Sequence, residues 1–286
     1  MHNRPSAKRE RGSPRPPPMR RVLGAFLLRE LREAASYKAA FVLQFGGLLL
    51  ALAALYYLSR FVQAAANPRL APYGADYLGF IVLGFVFTEL QQVAVGAFSN
   101  RIRNAQLAGT LEAMLATPAR PWQILLAAPV GDFLEALTRC TGYLLLASLA
   151  FGLRFHGAHV GAAVCAFLLG LAAFTGLGLL AAAATMYLRK GEPIGLLVSG
   201  LSILTAGVIY PTSVLPGWLR SVGGALPITH ALEAVRRALL GGAGFAELAP
   251  TLLALGIFTV VLAPLGLMAF WAALHRARID GSLTHY

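Results

Sequence analysis

Charged residues are scarce in this sequence. Of its 286 residues, 13% are Asp, Glu, Lys or Arg and 57% are hydrophobic, whereas an ordinary soluble domain carries roughly 25% charged residues. The apolar residues form runs of about twenty, which as helices are long enough to cross a hydrocarbon core of roughly 30 Å. This composition excludes a soluble globular enzyme and predicts an all-α, polytopic membrane protein.

Lysine is rarer still, and the motifs of several enzyme classes are missing. A P-loop needs Gly directly before its Lys, but the three lysines follow Ala7, Tyr37 and Arg189. No His precedes Glu as in a zincin helix, and no Ser stands in a Gly-x-Ser-x-Gly elbow. Cys140 and Cys165 fall inside apolar runs and indicate neither a disulfide framework nor a metal site. We therefore expect no catalytic residue, metal or cofactor bound by this chain.

Basic residues are concentrated near the N-terminus. The net charge is +12, and ten of the 24 Lys and Arg residues lie at or before Lys38. Residues 1–21 hold five prolines and seven Lys or Arg, which predicts a disordered cytoplasmic tail. Residues 22–36 have apolar positions at helical spacing, which predicts an amphipathic helix in the membrane interface. Such a basic flank is typical of contact with anionic lipid, so the expected partner is membrane lipid and not nucleic acid.

Six apolar segments within residues 22–274 are predicted to span the membrane and to form one transmembrane domain with the interfacial helix. They are residues 39–59, 77–99, 133–153, 160–186, 193–210 and 248–273. A short C-terminal tail, 275–286, follows them. With the N-terminus inside, seventeen Lys and Arg lie on the inner side and six on the outer side. The positive-inside rule then places both termini in the cytoplasm.

The outer connection before the last span is too structured for a plain loop. Its residues 229–240 have a helical pattern, and several prolines interrupt the chain before it. We expect this connection to fold back into the outer leaflet as a re-entrant segment, because its apolar residues would otherwise face water. The residues that mark this segment are Pro211, Pro216, Pro227, His230 and Arg236.

Ionisable residues inside the predicted spans are the main candidates for a functional site. Glu89 lies twelve residues into the second span, roughly 18 Å deep, where a lone carboxylate costs about 2.5–3.5 kcal/mol. On the third helix Asp132, just before the span, and Glu135 and Arg139 within it follow one another at helical spacing and share a face. The pattern allows an internal polar network or a substrate pathway lined by Glu89. The candidate residues are Glu89, Gln91, Gln92, Asp132, Glu135 and Arg139.

A family resemblance rests on two segments. The inner connection reads Gly109-Thr110-Leu111-Glu112-Ala113-Met114-Leu115-Ala116-Thr117-Pro118, and Tyr210–Pro216 is followed by Leu226–Ala231, Arg236 and Leu240-Gly241-Gly242. Both resemble segments of ABC-2-type transporter permeases, the membrane subunits of many bacterial ATP-driven exporters. They stand in the family's order within the six predicted spans.

The resemblance implies a permease subunit that has no nucleotide site of its own. Two copies of a separate ABC ATPase, which binds ATP and Mg, would drive export through two permeases, expected to form a homodimer in the bacterial cytoplasmic (inner) membrane. The cargo would be an amphipathic, lipid-like, drug or glycan molecule. The segment expected to dock on the ATPase comprises Gly109, Thr110, Leu111, Glu112, Met114, Leu115 and Pro118.

The sequence leaves two other function classes open. An ion- or proton-coupled secondary transporter would use Glu89 within the membrane, and association with an ATPase would decide against it. An intramembrane enzyme is disfavoured because no paired catalytic groups can be placed.

Overall fold

The computed structural model describes residues 18–21, 23–24, 28, 38–63, 68–73, 76–107, 127, 129–155, 157–188 and 193–279. Within these ranges the chain is almost entirely helical and has no strand, which confirms the all-α prediction. Its longer α-helices are α1 (Lys38–Gln63), α2 (Tyr77–Leu107), α3 (Val130–Phe151), α4 (Val160–Leu188), α5 (Pro193–Thr205), α6 (Gly217–Gly224), α7 (Pro227–Leu239) and α8 (Phe245–Ile279). Short 3-10 turns cover Pro68–Tyr73 and Thr212–Val214.

Four of the described helices are long and apolar enough to cross a membrane. These segments are Tyr77–Arg101, Val130–Phe151, Val160–Tyr187 and Phe245–Arg276. They correspond to the second, third, fourth and sixth predicted spans. The first predicted span, 39–59, lies in α1, whose described apolar part is the shorter stretch Gly46–Val62. The structure thus confirms four long apolar helices and not the predicted six spans.

The fifth predicted span, 193–210, is too long. Helix α5 ends at Thr205 after 13 residues, about 20 Å at 1.5 Å per residue, which is less than the roughly 30 Å of a hydrocarbon core. The helix stops because Gly207 adopts a left-handed conformation with φ of 76°, which a regular α-helix does not contain. The backbone carbonyls that follow are turned towards another helix, described below.

Helix α4 lies at the centre of the bundle and packs along α2, α7 and α8. Its contact with α8 depends on a close approach of backbones at Gly176. A Cβ atom there would lie 2.6 Å from the carbonyl carbon of Leu262 and 2.8 Å from the amide nitrogen of Ala263. Small residues of this kind let membrane helices pack through backbone contact.

The connection between α5 and α8 forms a pair of helices, α6 and α7. The predicted helical stretch 229–240 is found in α7, which packs against α2, α4 and α8. Its residues Ile228, Leu232 and Val235 are buried. The chain therefore folds α7 into the bundle, whereas most of α6 stays exposed.

The two ends of the chain are described only in part. Of the predicted interfacial helix 22–36, positions 23, 24 and 28 are described and are helical. Positions 19–21, assigned above to the disordered tail, are helical as well. Helix α8 continues to Ile279, so the predicted tail 275–286 begins inside this helix.

Candidate functional site

One face of α2 carries polar side chains that stay accessible in the single chain. Glu89, Gln92, Asn100 and Arg103 lie on it, with Gly96 between them, three or four residues apart. Gln92, Asn100 and Arg103 are exposed, and Glu89 is partly buried. These five residues form what is called here the polar face of α2.

Glu89 forms an ion pair with the neighbouring helix α3. Its Oε1 lies 2.7 Å from Nη2 of Arg139, and Nη1 of Arg139 lies 3.4 Å from Oε1 of Glu135. The side chains of Glu89 and Arg139 are each 29% exposed. The buried Nε of Arg139 makes no hydrogen bond within the described part of the chain. Arg139 thus bridges two carboxylates beside the polar face and keeps one donor unused.

Asp132 has a different partner. Nε and Nη2 of Arg101 each donate to a carboxylate oxygen of Asp132 at 2.9 Å. Such a two-point contact fixes the planar guanidinium and carboxylate groups in one geometry. The pair joins α2 and α3 near the end of α2 and the start of α3. Asp132 therefore does not share Arg139 with Glu135, although the three residues occupy one helical face.

The two adjacent glutamines point in different directions. Gln91 is fully buried, and neither atom of its amide finds a hydrogen-bond partner among the described residues. Gln92 lies at the surface and lines a cavity between α2, α4 and α5. The cavity measures about 260 Å³ and is called the polar cavity below. Its lining residues are Gln92, Val95, Gly96, Ser99, Asn100, Ala181, Thr185, Gly195 and Ser199.

Arg236 of α7 is the most heavily bonded side chain in the connection between α5 and α8. It is 3% exposed and donates to the carbonyls of Phe80 (3.0 Å from Nε, 2.7 Å from Nη2), Gly207 (2.6 Å from Nη1) and Val208 (2.8 Å from Nη2). The Tyr77 hydroxyl donates to the Ile209 carbonyl at 2.8 Å. The carbonyls left free where α5 ends are thus satisfied by side chains, as buried backbone groups require.

Comparison with known families places these features in context. Residues 22–240 match the ABC-2 type transporter family. The chain belongs to this family. The matched range contains the polar face of α2, the polar cavity and Arg236, whereas α8 lies beyond it. A comparison with curated proteins gives no significant match.

In this ABC-2 family member, the prolines that interrupt the connection between α5 and α8 stand at helix starts. Pro211 precedes the second 3-10 turn, Pro216 precedes α6, and Pro227 is the first residue of α7. Proline suits a first helical turn because the amide hydrogen it lacks would have no partner there. Nε2 of His230 lies 2.9 Å from the Gly224 carbonyl oxygen.

A second contact joins α7 to the first 3-10 turn. The hydroxyl of Tyr73, in the first 3-10 turn, donates to Oε2 of Glu233 at 2.6 Å. Burial raises the pKa of the Tyr73 hydroxyl, and the negative charge of Glu233 raises it further. Tyr73 therefore stays protonated at any physiological pH and keeps its donor for Glu233.

The predicted ATPase-docking residues of this permease family lie outside the described residues, since positions 108–126 are not described. The sequence pattern did not single out the hydroxyl groups of the polar cavity, Ser99, Thr185 and Ser199. It also did not predict the hydrogen bonds of Arg236. Small polar residues inside apolar runs were the available signal for the cavity, but they come from three separate helices.

Proposed function

We propose that this chain is the permease subunit of an ATP-driven exporter and forms half of a transmembrane pathway. The polar face of α2 carries the proposal. Charged and amide side chains exposed to lipid are costly, so this face is expected to meet water or protein. Helix α8, in contrast, exposes Leu253, Ile257 and Val260, which suit contact with lipid. The two faces give the single chain a lipid side and a pathway side.

The proposed partner on the pathway side is a second copy of the same chain. Two copies would bring two polar faces of α2 together around one pathway, with the Glu89–Arg139 pairs beside it. Membership of the ABC-2 family supports a separate ABC ATPase, in two copies, as the subunit that binds ATP and Mg and hydrolyses the nucleotide. The Gly109–Pro118 segment would dock on it. The permease itself would hold no cofactor.

The proposed setting is the bacterial cytoplasmic (inner) membrane with both termini in the cytoplasm. The excess of basic residues on that side supports this orientation. It would place the polar cavity near the cytoplasmic end of the pathway, because the cavity lies towards the end of α2 and of α4. Helices α6 and α7 would lie in the outer leaflet as the re-entrant segment.

A secondary transporter driven by protonation of Glu89 has less support. Its carboxylate is held by Arg139 at 2.7 Å. A proton carrier must release that partner in every cycle. Together with the family match, the pairing favours the ATP-driven permease.

Cross-linking between two copies tests the pathway side. In a Cys140→Ala, Cys165→Ala background, Asn100→Cys on the polar face is expected to give a covalent dimer in native membranes with a short bifunctional maleimide. The matched control is Ile257→Cys, which is 66% exposed on α8. Dimers from Ile257→Cys and none from Asn100→Cys would reject the proposed arrangement.

A further inference from the structure

A tyrosine and an arginine meet where two apolar spans end. The spans in α4 and α8 end at Tyr187 and Arg276, respectively. Nη1 of Arg276 donates to the Tyr187 hydroxyl oxygen at 3.0 Å, and the guanidinium carbon lies 5.3 Å from the centre of the Tyr187 ring. Both side chains are exposed. Because each residue ends an apolar span, the pair lies at the level where the hydrocarbon core meets the lipid head groups.

Close packing of α4 on α8 fixes the relative position of these two residues. A Cβ atom at Gly266 of α8 would collide with the carbonyl oxygen of Gly176 in α4, so the two backbones touch. Between this contact and the helix ends, both helices contribute buried apolar residues to one cluster. They are Leu179, Ala182, Ala183, Phe270, Ala273 and Leu274. The two helix ends are therefore held side by side, and the Tyr187–Arg276 pair rests on a rigid base.

The pair keeps hydrogen-bond donors for an anion. A guanidinium has several N–H donors, and Arg276 gives one of them to Tyr187. Because the Tyr187 oxygen accepts this bond, its own hydrogen stays available to donate outwards. No Asp or Glu in the described part of the chain forms an ion pair with Arg276. A positive planar fork beside a hydroxyl donor suits the oxygens of a phosphate group.

An exposed apolar strip leads from Arg276 towards the middle of the membrane. Leu265, Met268 and Ala272 lie eleven, eight and four residues before Arg276, on its side of α8. All three are exposed, Met268 by 67%. Trp271, which is 37% exposed, lies beside the strip at the level where membrane proteins favour tryptophan. A strip at this depth suits a lipid acyl chain, whereas a water-soluble protein would not enter the hydrocarbon.

We propose that Tyr187 and Arg276 bind the phosphate of an anionic phospholipid whose acyl chain lies on the strip formed by Leu265, Met268 and Ala272. The sequence makes this end net positive, since residues 187–192 and 275–280 contain four Lys or Arg and two Asp or Glu. An anionic lipid balances this charge, whereas a zwitterionic head group carries its own counter-charge. The bound lipid is a fixed neighbour of the permease and not its cargo, so the inference goes beyond the proposed function.

Quenching by brominated lipids tests the inference in the full chain. Met268→Trp places a fluorescent reporter on the strip, and the native tryptophans are changed to Phe so that it is the single one. The chain is placed in nanodiscs that mix phosphatidylcholine with phosphatidylglycerol, and one of the two lipids carries bromine on its acyl chains. At equal mole fraction, brominated phosphatidylglycerol should quench the reporter more strongly. We expect a preference of roughly fivefold, as one basic residue near an anionic lipid provides.

Matched substitutions assign this preference to the pair. Arg276→Gln should abolish it, and Tyr187→Phe, which keeps the ring and removes the hydroxyl, should reduce it. Arg276→Lys keeps the charge and should retain part of it. The control is Arg154→Gln, which removes an exposed arginine from the connection before α4, at the opposite end of that helix from Tyr187. This variant should keep the full preference. Melting temperatures of all four variants establish that they fold.

Three results would overturn the inference. Equal quenching by the two brominated lipids would show that the site does not select an anionic lipid. A preference that persists in Arg276→Gln, or that falls equally in Arg154→Gln, would show that net charge and not the pair attracts the lipid. Weak quenching by both lipids would show that a second copy of the chain or another protein covers the strip. Association with an ABC ATPase is measured separately, so the exporter proposal stands or falls independently.

Discussion

The guanidinium of Arg236 lies 3.5 Å from the centre of the Phe80 ring while it donates to the Phe80 carbonyl. One side chain on α7 thereby holds the first turn of α2 and the irregular backbone after α5. The close packing extends to Gly84, where a Cβ atom would meet Nη2 of Arg236 at 2.6 Å. Arginine suits this position because its rigid fork of donors reaches several carbonyls at once and its flat face stacks on an aromatic ring.

Replacing Arg236 should destabilise the permease strongly. Arg236→Met leaves the carbonyls of Phe80, Gly207 and Val208 without this donor, and each buried group left unpaired costs about 1–3 kcal/mol. We expect a large drop in the melting temperature of the purified chain, followed by circular dichroism in nanodiscs. Arg236→Lys keeps the charge but loses the planar guanidinium with its several donors. Its melting temperature should therefore lie between those of Arg236→Met and the native chain. Arg237→Met serves as the control, and a drop as large there would contradict the assigned role.

Features of the fold that depend on neighbouring residues could be predicted from the sequence. Features that depend on contacts between residues far apart along the chain could not. Apolar runs of sufficient length identified α2, α3, α4 and α8 as spans, since length and composition are local properties. The same reasoning extended α5 to residue 210, because the sequence stays apolar through Ile209. The actual end at Thr205 depends on Gly207 and on Arg236, which lies 29 residues beyond Gly207 along the chain.

In the candidate site, too, the locally determined features could be predicted and those set by distant contacts could not. Glu89, Gln92 and Arg139 stood out in sequence because charged and amide groups are costly inside apolar spans. Nothing local distinguished Gln91, which is buried in the bundle, from Gln92, which lies on the polar face. The polar cavity depends on the packing of α2, α4 and α5 against one another, and single Ser or Thr residues are too common in membrane helices to predict it.

Close packing of α4 on α8 gives a second prediction. Gly176→Ala places a methyl group against the backbone of Leu262 and Ala263, which cannot move aside as a flexible side chain can. We expect a loss of about 1–3 kcal/mol in unfolding free energy, the usual cost of overpacking, measured by denaturant titration. Gly256→Ala on α8 is the matched control, because a Cβ there meets nothing within 4 Å. It should leave stability unchanged or raise it by up to about 1 kcal/mol. Equal stability of the two variants would refute the close-approach argument.

The segment proposed to dock on the ATPase, Gly109–Pro118, gives a third prediction. If Leu111 and Leu115 insert into an apolar groove of the ATPase, the double change Leu111→Asp, Leu115→Asp adds two charges to a buried contact and should release the ATPase. The measurement is the ATPase-to-permease ratio after purification through a tag on the permease. The double change to Ile keeps the apolar character and should retain the ATPase. Full retention with both Asp residues in place would reject docking through this segment.

Glu89 on the polar face gives the last prediction. Glu89→Gln preserves size and hydrogen bonding but removes the charge beside the proposed pathway. Because the Glu89 side chain is 29% exposed and Arg139 keeps Glu135 at 3.4 Å, the melting temperature should change little, as for other partly exposed ion pairs. ATP-dependent uptake of a fluorescent lipid analogue into inverted vesicles should fall roughly tenfold, as loss of one charge-assisted contact allows.

Glu135→Gln is the control for this change, because it removes a carboxylate from the same Arg139 at a position off the polar face of α2. Its uptake should stay close to that of the native permease. The opposite pattern, in which Glu89→Gln transports normally per folded complex and melts at a clearly lower temperature, would make Glu89 a structural partner of Arg139. The pathway would then have to be sought along Gln92 and Asn100, farther down the same face of α2.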